Sequence, residues 1–156
     1  MMKYLLHVLI ISFIFLLAPT AHVASYAGEL EDAKEDVRNN PDDAWAHNNL
    51  GLAYYDSGKY KDAIKSYKQA IRTDPDFAAA HFDLGYAYDD LGKYEEAIES
   101  YKQALRINPD LTKVQYNLGL AYLFSNDRGS ALEQYKILKN LDTEEANKLF
   151  NEIYSE

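Results

Sequence analysis

The sequence predicts an all-α protein made of stacked helix pairs, and three observations carry that prediction. First, the stretch KYKDAIKSYKQAI at residues 59–71 returns 34 residues later as KYEEAIESYKQAL at 93–105. Aligning 44–77 with 78–111 gives identity at 21 of 34 positions, and 112–145 keeps the same skeleton less strictly. Self-similarity at such a period marks units that bury their apolar faces only against neighbouring copies. Second, every copy holds two stretches whose apolar residues fall at helical spacing. Third, Pro41, Pro75 and Pro109 recur in register, as do Gly58 and Gly92.

The elements follow in chain order. Residues 1–27 carry one positive charge, Lys3, then an apolar run from Leu5 to Ala18, Pro19 and small residues. That order describes a secretory signal peptide, cut after Ala27 or after Ser25. The apolar run would be roughly 21 Å long as a helix, short of the ~30 Å hydrocarbon core. An uncleaved membrane anchor, the alternative, would have to recruit Pro19 to Ala24. The expectation is an exported chain, periplasmic or secreted, touching membrane only if this segment is retained. Residues 28–43 read as a degenerate half-repeat serving as a cap, with Leu30 and Val37 in register with Ile64 and Ile71.

Repeat one spans 44–77. Leu50, Ala53 and Tyr54 mark one face of its first helix; Tyr60, Ala63, Ile64, Tyr67, Ala70 and Ile71 mark that of its second. Lys61, Asp62, Lys65, Lys68 and Arg72 take the opposite face, where water tolerates either sign of charge. Gly58 and Gly92 suit a left-handed turn between helices. Pro75 and Pro109 end the second helices, and Asp76 and Asp110 are expected to cap the helices that follow. Gly51, Gly85 and Gly119 sit inside helices, where glycine costs about 1 kcal/mol relative to alanine. Their recurrence predicts close helix approach, with Ala63, Ala97 and Ala131 facing them and tyrosines filling the surrounding space with their hydroxyls toward solvent. Repeats two and three span 78–111 and 112–145. Residues 146–156 read as a capping helix that starts near Thr143. Ala146, Leu149, Phe150 and Ile153 would face inward, and Glu145, Lys148, Asn151 and Glu152 outward.

These residues resemble the tetratricopeptide repeat family. Repeat one shows Leu50-Gly51, Tyr54, Ala63, Tyr67 and Pro75; repeat two shows Leu84-Gly85, Tyr88, Ala97, Tyr101 and Pro109. Repeat three keeps Leu118-Gly119, Tyr122, Ala131 and Tyr135, then departs with Asn126, Leu138 and Thr143. The family's leading tryptophan position holds His47, His81 and Gln115. The resemblance implies a right-handed α-solenoid of three helix pairs plus a C-terminal capping helix. It also implies a concave groove, lined by the first helix of each pair, that contacts a partner.

Transferred by register, the groove takes Asn48, Asn49, Leu52 and Tyr55 from repeat one, flanked by Trp45 and Asp56. Repeat two gives Phe82, Asp83, Tyr86 and Asp90, with Asp89 beside them. Repeat three gives Lys113, Tyr116, Asn117 and Phe124, with Leu120. Aromatics mixed with polar groups suit a protein or peptide; Asn49 and Asn117 could bond an extended backbone, and Asp83, Asp89 and Asp90 favour a basic or neutral segment. Capture of a terminal carboxylate by the family's clamp is disfavoured, because of its positions Asn48, Leu52, Asp83, Lys113 and Asn117 only Lys113 keeps its role.

Composition narrows the function further. The chain has 16 basic and 25 acidic residues, a formal charge of −9, and no cluster of Lys and Arg, which speaks against nucleic acid. Cysteine is absent, excluding disulfides, thiolate metal sites and a cysteine nucleophile. No nucleotide-loop, zinc-protease, calcium-loop or serine-elbow motif occurs. His47 and His81 recur at one repeat position, which is architectural. The expectation is a non-enzymatic adaptor or scaffold without cofactor or metal; the alternative is a structural self-assembly module of an envelope complex.

Overall fold

The computed structural model describes residues 26–155, which form eight helices and no strand. α1 covers residues 26–39, α2 Ala44–Asp56, α3 Tyr60–Thr73, α4 Ala78–Asp89, α5 Tyr94–Ile107, α6 Thr112–Phe124, α7 Arg128–Leu141 and α8 Thr143–Tyr154. The expected leader lies outside the described residues except for Tyr26 and Ala27, which belong to α1. No helix among the described residues is long and apolar enough to cross a membrane.

Turns of three or four residues fold α2 onto α3, α4 onto α5 and α6 onto α7, and the pairs then stack through α3 on α4 and α5 on α6. Gly58 and Gly92 take φ of +71° and +68° in two of these turns, and Asn126 takes φ of 64° in the third. The left-handed position is therefore kept where the glycine is not, by the side chain that tolerates it best after glycine.

The loops between pairs are held differently from the expectation. Asp76 and Asp110 do not cap. Instead Asp74 and Asn108 accept the backbone N–H of Asp76 (3.1 Å) and Asp110 (3.2 Å), and α4 and α6 start from Phe77 and Leu111 without a side-chain cap. The proline between bonded partners lacks an N–H, so this side chain-to-backbone turn takes up the next available donor. Asp43 does cap α2, accepting from Trp45 N at 2.9 Å. His47 and His81 donate from Nε2 to the carbonyls of Pro41 (2.8 Å) and Pro75 (3.0 Å), pinning each first helix to the loop before it.

The core runs continuously through the stack. Ala63, Tyr67, Leu84 and Ala87 form one buried cluster, and Ala97, Tyr101, Ala104, Val114, Leu118 and Ala121 the next. Alanines of each second helix thus meet the following pair, while Gly51 and Gly85 face tyrosines and Gly119 faces Leu149, rather than Ala63, Ala97 and Ala131. A Cβ on Gly51 would lie 2.4 Å from the Tyr67 ring and one on Gly85 2.6 Å from the Tyr101 ring. The rings are flat and wide and lie over the opposite backbone, so the glycine makes room for an aromatic face, not for a second backbone. Nor do these hydroxyls reach solvent in every case: Tyr101 is fully buried, and its hydroxyl interacts with Asp89 rather than with water.

The C-terminal end departs from the repeat. Asp142 ends α7 and at once caps α8, accepting from Glu144 N and Glu145 N at 2.9 and 3.2 Å. The four-residue link of the other pairs, 108–111 for example, is thereby reduced to one residue. α8 then leans onto α6 as well as α7, and Leu149, rather than Tyr135, covers Gly119. Ala146, Leu149 and Ile153 are buried as expected. Phe150 is not. Lying 100° around the helix from Leu149, it is 41% exposed and rests against Tyr135 and Tyr154.

Candidate functional site

α2, α4 and α6 lie side by side on one face of the stack. Two bonds fix the relative direction of α2 and α4. Asn48 donates from Nδ2 to Asp83 Oδ2 at 2.9 Å, and the Tyr55 hydroxyl donates to Asp90 Oδ2. The bonded residues are seven apart on both helices, so α2 and α4 run parallel and in register. Between these helices and α8 opens a cleft of about 480 Å³, lined by Leu52, Tyr55, Asp56, Phe82, Asp83, Tyr86, Lys113, Tyr116 and Asn117, with Tyr67 at its base and Glu145 and Lys148 from α8. Its floor is aromatic: Tyr55 and Tyr86 have ring centroids 5.7 Å apart, Phe82 and Tyr86 6.1 Å.

Most of the groove residues expected from the sequence meet here: Leu52, Tyr55, Phe82, Asp83, Tyr86, Lys113, Tyr116 and Asn117. Four stand elsewhere or in another role. Asn48 is 2% exposed and holds Asp83, so its amide serves the α2–α4 contact. Asn49 lies in a separate cleft facing α1, beside Asp32 and Asp36. Asp90 is exposed at the end of α4 with Tyr55 on its carboxylate. Phe124 stacks on Tyr94 at 5.4 Å, at the far end of α6. The sequence reading missed Glu145 and Lys148, because it assigned α8 an outward polar face. Lys148 bonds Glu145 at 2.8 Å and Glu144 at 3.0 Å, leaving Lys113 as the cation of the cleft that makes no ion pair among the described residues.

Burial sets the electrostatics. It raises the pKa of Asp83, opposed in part by the Asn48 amide. Asp89, half-buried behind the rim, is pushed up to about 6 by burial first and by the charge of Asp90 second, with the Tyr101 hydroxyl pulling the other way. Burial and the Asp90 carboxylate together raise the Tyr55 hydroxyl, which keeps it a donor. Tyr116 is raised by burial and by Glu152 and Glu145 of α8. No group of three or more potential metal ligands is gathered among the described residues.

A second hollow of about 600 Å³ continues from the first, sharing Phe82 and Lys113. It lies at the N-terminal ends of α2, α4 and α6 between Trp45, Phe77, Leu111 and Val114. Trp45 is 62% exposed and its ring sits 4.5 Å from that of Phe77.

Tetratricopeptide repeat models match residues 48–111 and 90–147, together 48–147 of the 156. No curated protein matches the chain. Among solved structures, a crystal structure of MamA protein is 28% identical over 77% of this chain, with a TM-score of 0.66; the chain spans 61% of that protein's length. A structure of MamA from AMB-1 is 30% identical, with 73% of this chain and 68% of that one covered and a TM-score of 0.66. The second TPR domain of human RPAP3, solved in complex with the HSP70 peptide SGPTIEEVD, is 25% identical over 70% of this chain and 93% of that domain, with a TM-score of 0.67. Matched repeat by repeat in sequence and over its helical stack in structure, the chain is a member of the tetratricopeptide repeat family.

Proposed function

We propose that this chain is a protein-interaction scaffold that holds an extended segment of a partner protein in the groove of α2, α4 and α6. The observation that carries the reading is the cleft itself: an aromatic floor with polar groups at its edges, open along three parallel helices and walled by α8. Such a surface offers large apolar contacts at the centre and hydrogen bonds at the rim. The RPAP3 domain, with the same fold, is seen with a peptide bound. A clamp for a terminal carboxylate is not built here in the same way, since Asn48 is spent on Asp83 and Asp83 brings a negative charge to the cleft. The segment favoured is basic or neutral.

The test is selection of peptides from a displayed random library on the intact chain, followed by titration of the enriched sequences. Tyr86→Ala should weaken the selected peptides about tenfold, as expected for loss of an aromatic anchor. Equal affinity for the variant, or no enrichment, would exclude the groove as the site.

The scaffold is proposed to act after export, on the strength of the charged start, apolar run and small-residue exit of residues 1–27. Mass spectrometry of the mature amino terminus decides this: a start at Gly28 or Tyr26 supports release, whereas a retained Met1 favours an anchored chain.

A further inference from the structure

The two long edges of the groove differ chemically. Because α2 and α4 run parallel, their C-terminal ends share one edge, and their last turns contain no basic residue. Asp56 and Asp90 add full charges there, both exposed, and Asp56 makes no ion pair among the described residues. Partial negative charge from the helix ends and these carboxylates therefore reinforce each other. The second helices are built the opposite way: α3 opens with Asp62 and closes with Arg72, and α5 opens with Glu95 and Glu96 and closes with Arg106. Compensation by a basic residue at the C-terminal ends is thus present on the outer layer and missing on the groove layer. The other edge of the groove holds the hollow lined mainly by Trp45, Phe77, Leu111 and Val114; Asp110 lines it too but is accompanied by Lys113, Asp43 is taken up by the α2 cap, and no acidic residue lies in the first turns of α2, α4 or α6.

An extended peptide crossing the three helices sends successive side chains to opposite sides. Building on the groove reading above, we infer that the preferred partner segment has two unlike edges: lysine or arginine toward Asp56 and Asp90, and bulky apolar residues toward the hollow at Trp45 and Phe77. The favoured sequence alternates basic with large apolar residues. Alternation, not net charge, is what the groove reads, because side chains of both kinds must lie on their own edges at once.

Trp45 is the sole tryptophan of the chain, so its fluorescence reports on the hollow directly. The experiment titrates the intact chain with three tryptophan-free peptides: one alternating lysine with leucine, its isomer with all lysines before all leucines, and one alternating glutamate with leucine. Affinity is followed by polarisation of a dye on the peptide, and Trp45 emission is read in parallel. The alternating lysine peptide should bind tightest and shift Trp45 emission to the blue. The double variant Asp56→Asn, Asp90→Asn should lose about fivefold in affinity for it, as two exposed charge contacts would. If Tyr86→Ala weakens the peptides but the block isomer or the glutamate peptide binds as well, or Trp45 emission stays unmoved, the two-edged selection is wrong while the groove reading stands. If none of the peptides binds, or Tyr86→Ala changes no affinity, the groove reading itself fails and takes this inference with it.

Discussion

Replacing Gly85 with alanine sets two effects of known sign against each other. Gly85 lies in the middle of α4, and alanine there gains about 1 kcal/mol in helix propensity. Against that gain, the new Cβ would stand 2.6 Å from Cε1 and 2.7 Å from Cδ1 of Tyr101, well inside van der Waals contact. Tyr101 is fully buried and also packs against Phe82, with ring centroids 5.9 Å apart, so the ring cannot swing away into solvent. Overpacking of this kind costs about 1–3 kcal/mol, and an overlap with two ring atoms belongs at the upper end. The expected net loss is about 1–2 kcal/mol, or roughly 3–8 °C in Tm for a chain of this length. Urea and thermal unfolding followed by far-UV circular dichroism measure it. Gly28→Ala, with nothing within 4 Å of its Cβ, is the matched control and should show no loss. In a Tyr101→Leu background, the alanine at 85 should become neutral or favourable, because the shorter side chain vacates the space. A Gly85→Ala protein about 1 kcal/mol more stable than the parent, the full propensity gain, would show that Tyr101 yields without cost. Close packing against the ring would then not be why glycine recurs at 51 and 85.

Three further outcomes follow from the same contacts. Asp89, with a folded pKa of about 6 above its ordinary value of 3.8, binds protons more readily folded than unfolded. Its share of stability is therefore present at low pH and lost as pH rises from about 4 through 6; Asp89→Asn should stabilise at pH 7 by about 1 kcal/mol after allowance for solvent screening, and flatten the urea midpoint over that pH range. Asn126→Gly, at φ of 64°, should gain about 0.5 kcal/mol by matching Gly58 and Gly92, read in the same unfolding assay. Asn48→Ala strips Asp83 of its amide donor and should cost about 1–2 kcal/mol while raising the Asp83 pKa further, which carboxyl-carbon NMR titration would register.

The stack was legible because packing repeats when sequence does. Tyr67 and Tyr101, Ala63 and Ala97, and Gly51 and Gly85 hold equivalent positions in the core, so each copy confirms the others, and drifting charges between them mark the water-facing side. What the repeat states about register it does not state about partners. Glycine and alanine recur equally, and nothing in their spacing says that the glycine faces a tyrosine ring while the alanine meets the next pair. The caps were misplaced for a local reason: Asp76 follows a proline in the sequence, but the free N–H is its own, and Asp74 on the near side of the proline is the residue positioned to accept it.

The groove was harder to read because its determinants lie at a different offset from the repeat. Comparison at 34 residues aligns equivalent positions, yet the residues that touch across the groove, Asn48 with Asp83 and Tyr55 with Asp90, are 35 apart. Asn48 thus aligns with Phe82 and Asp83 with Asn49, and at that offset each looks like unconstrained drift. Scanning the same sequence at 35 places an amide opposite a carboxylate and a phenol opposite a carboxylate, two complementary pairs seven residues apart. That pattern is what two parallel first helices require, since residues one step beyond equivalence are the ones that point across a shared face. Two of the three acids expected to greet a ligand, Asp83 and Asp90, are therefore partly spent on holding α2 beside α4. Such an arrangement couples recognition to the spacing of the helices: a cation drawn to Asp90 competes with the Tyr55 hydroxyl, and a change at Asn48 alters the charge state of the cleft without touching any ligand.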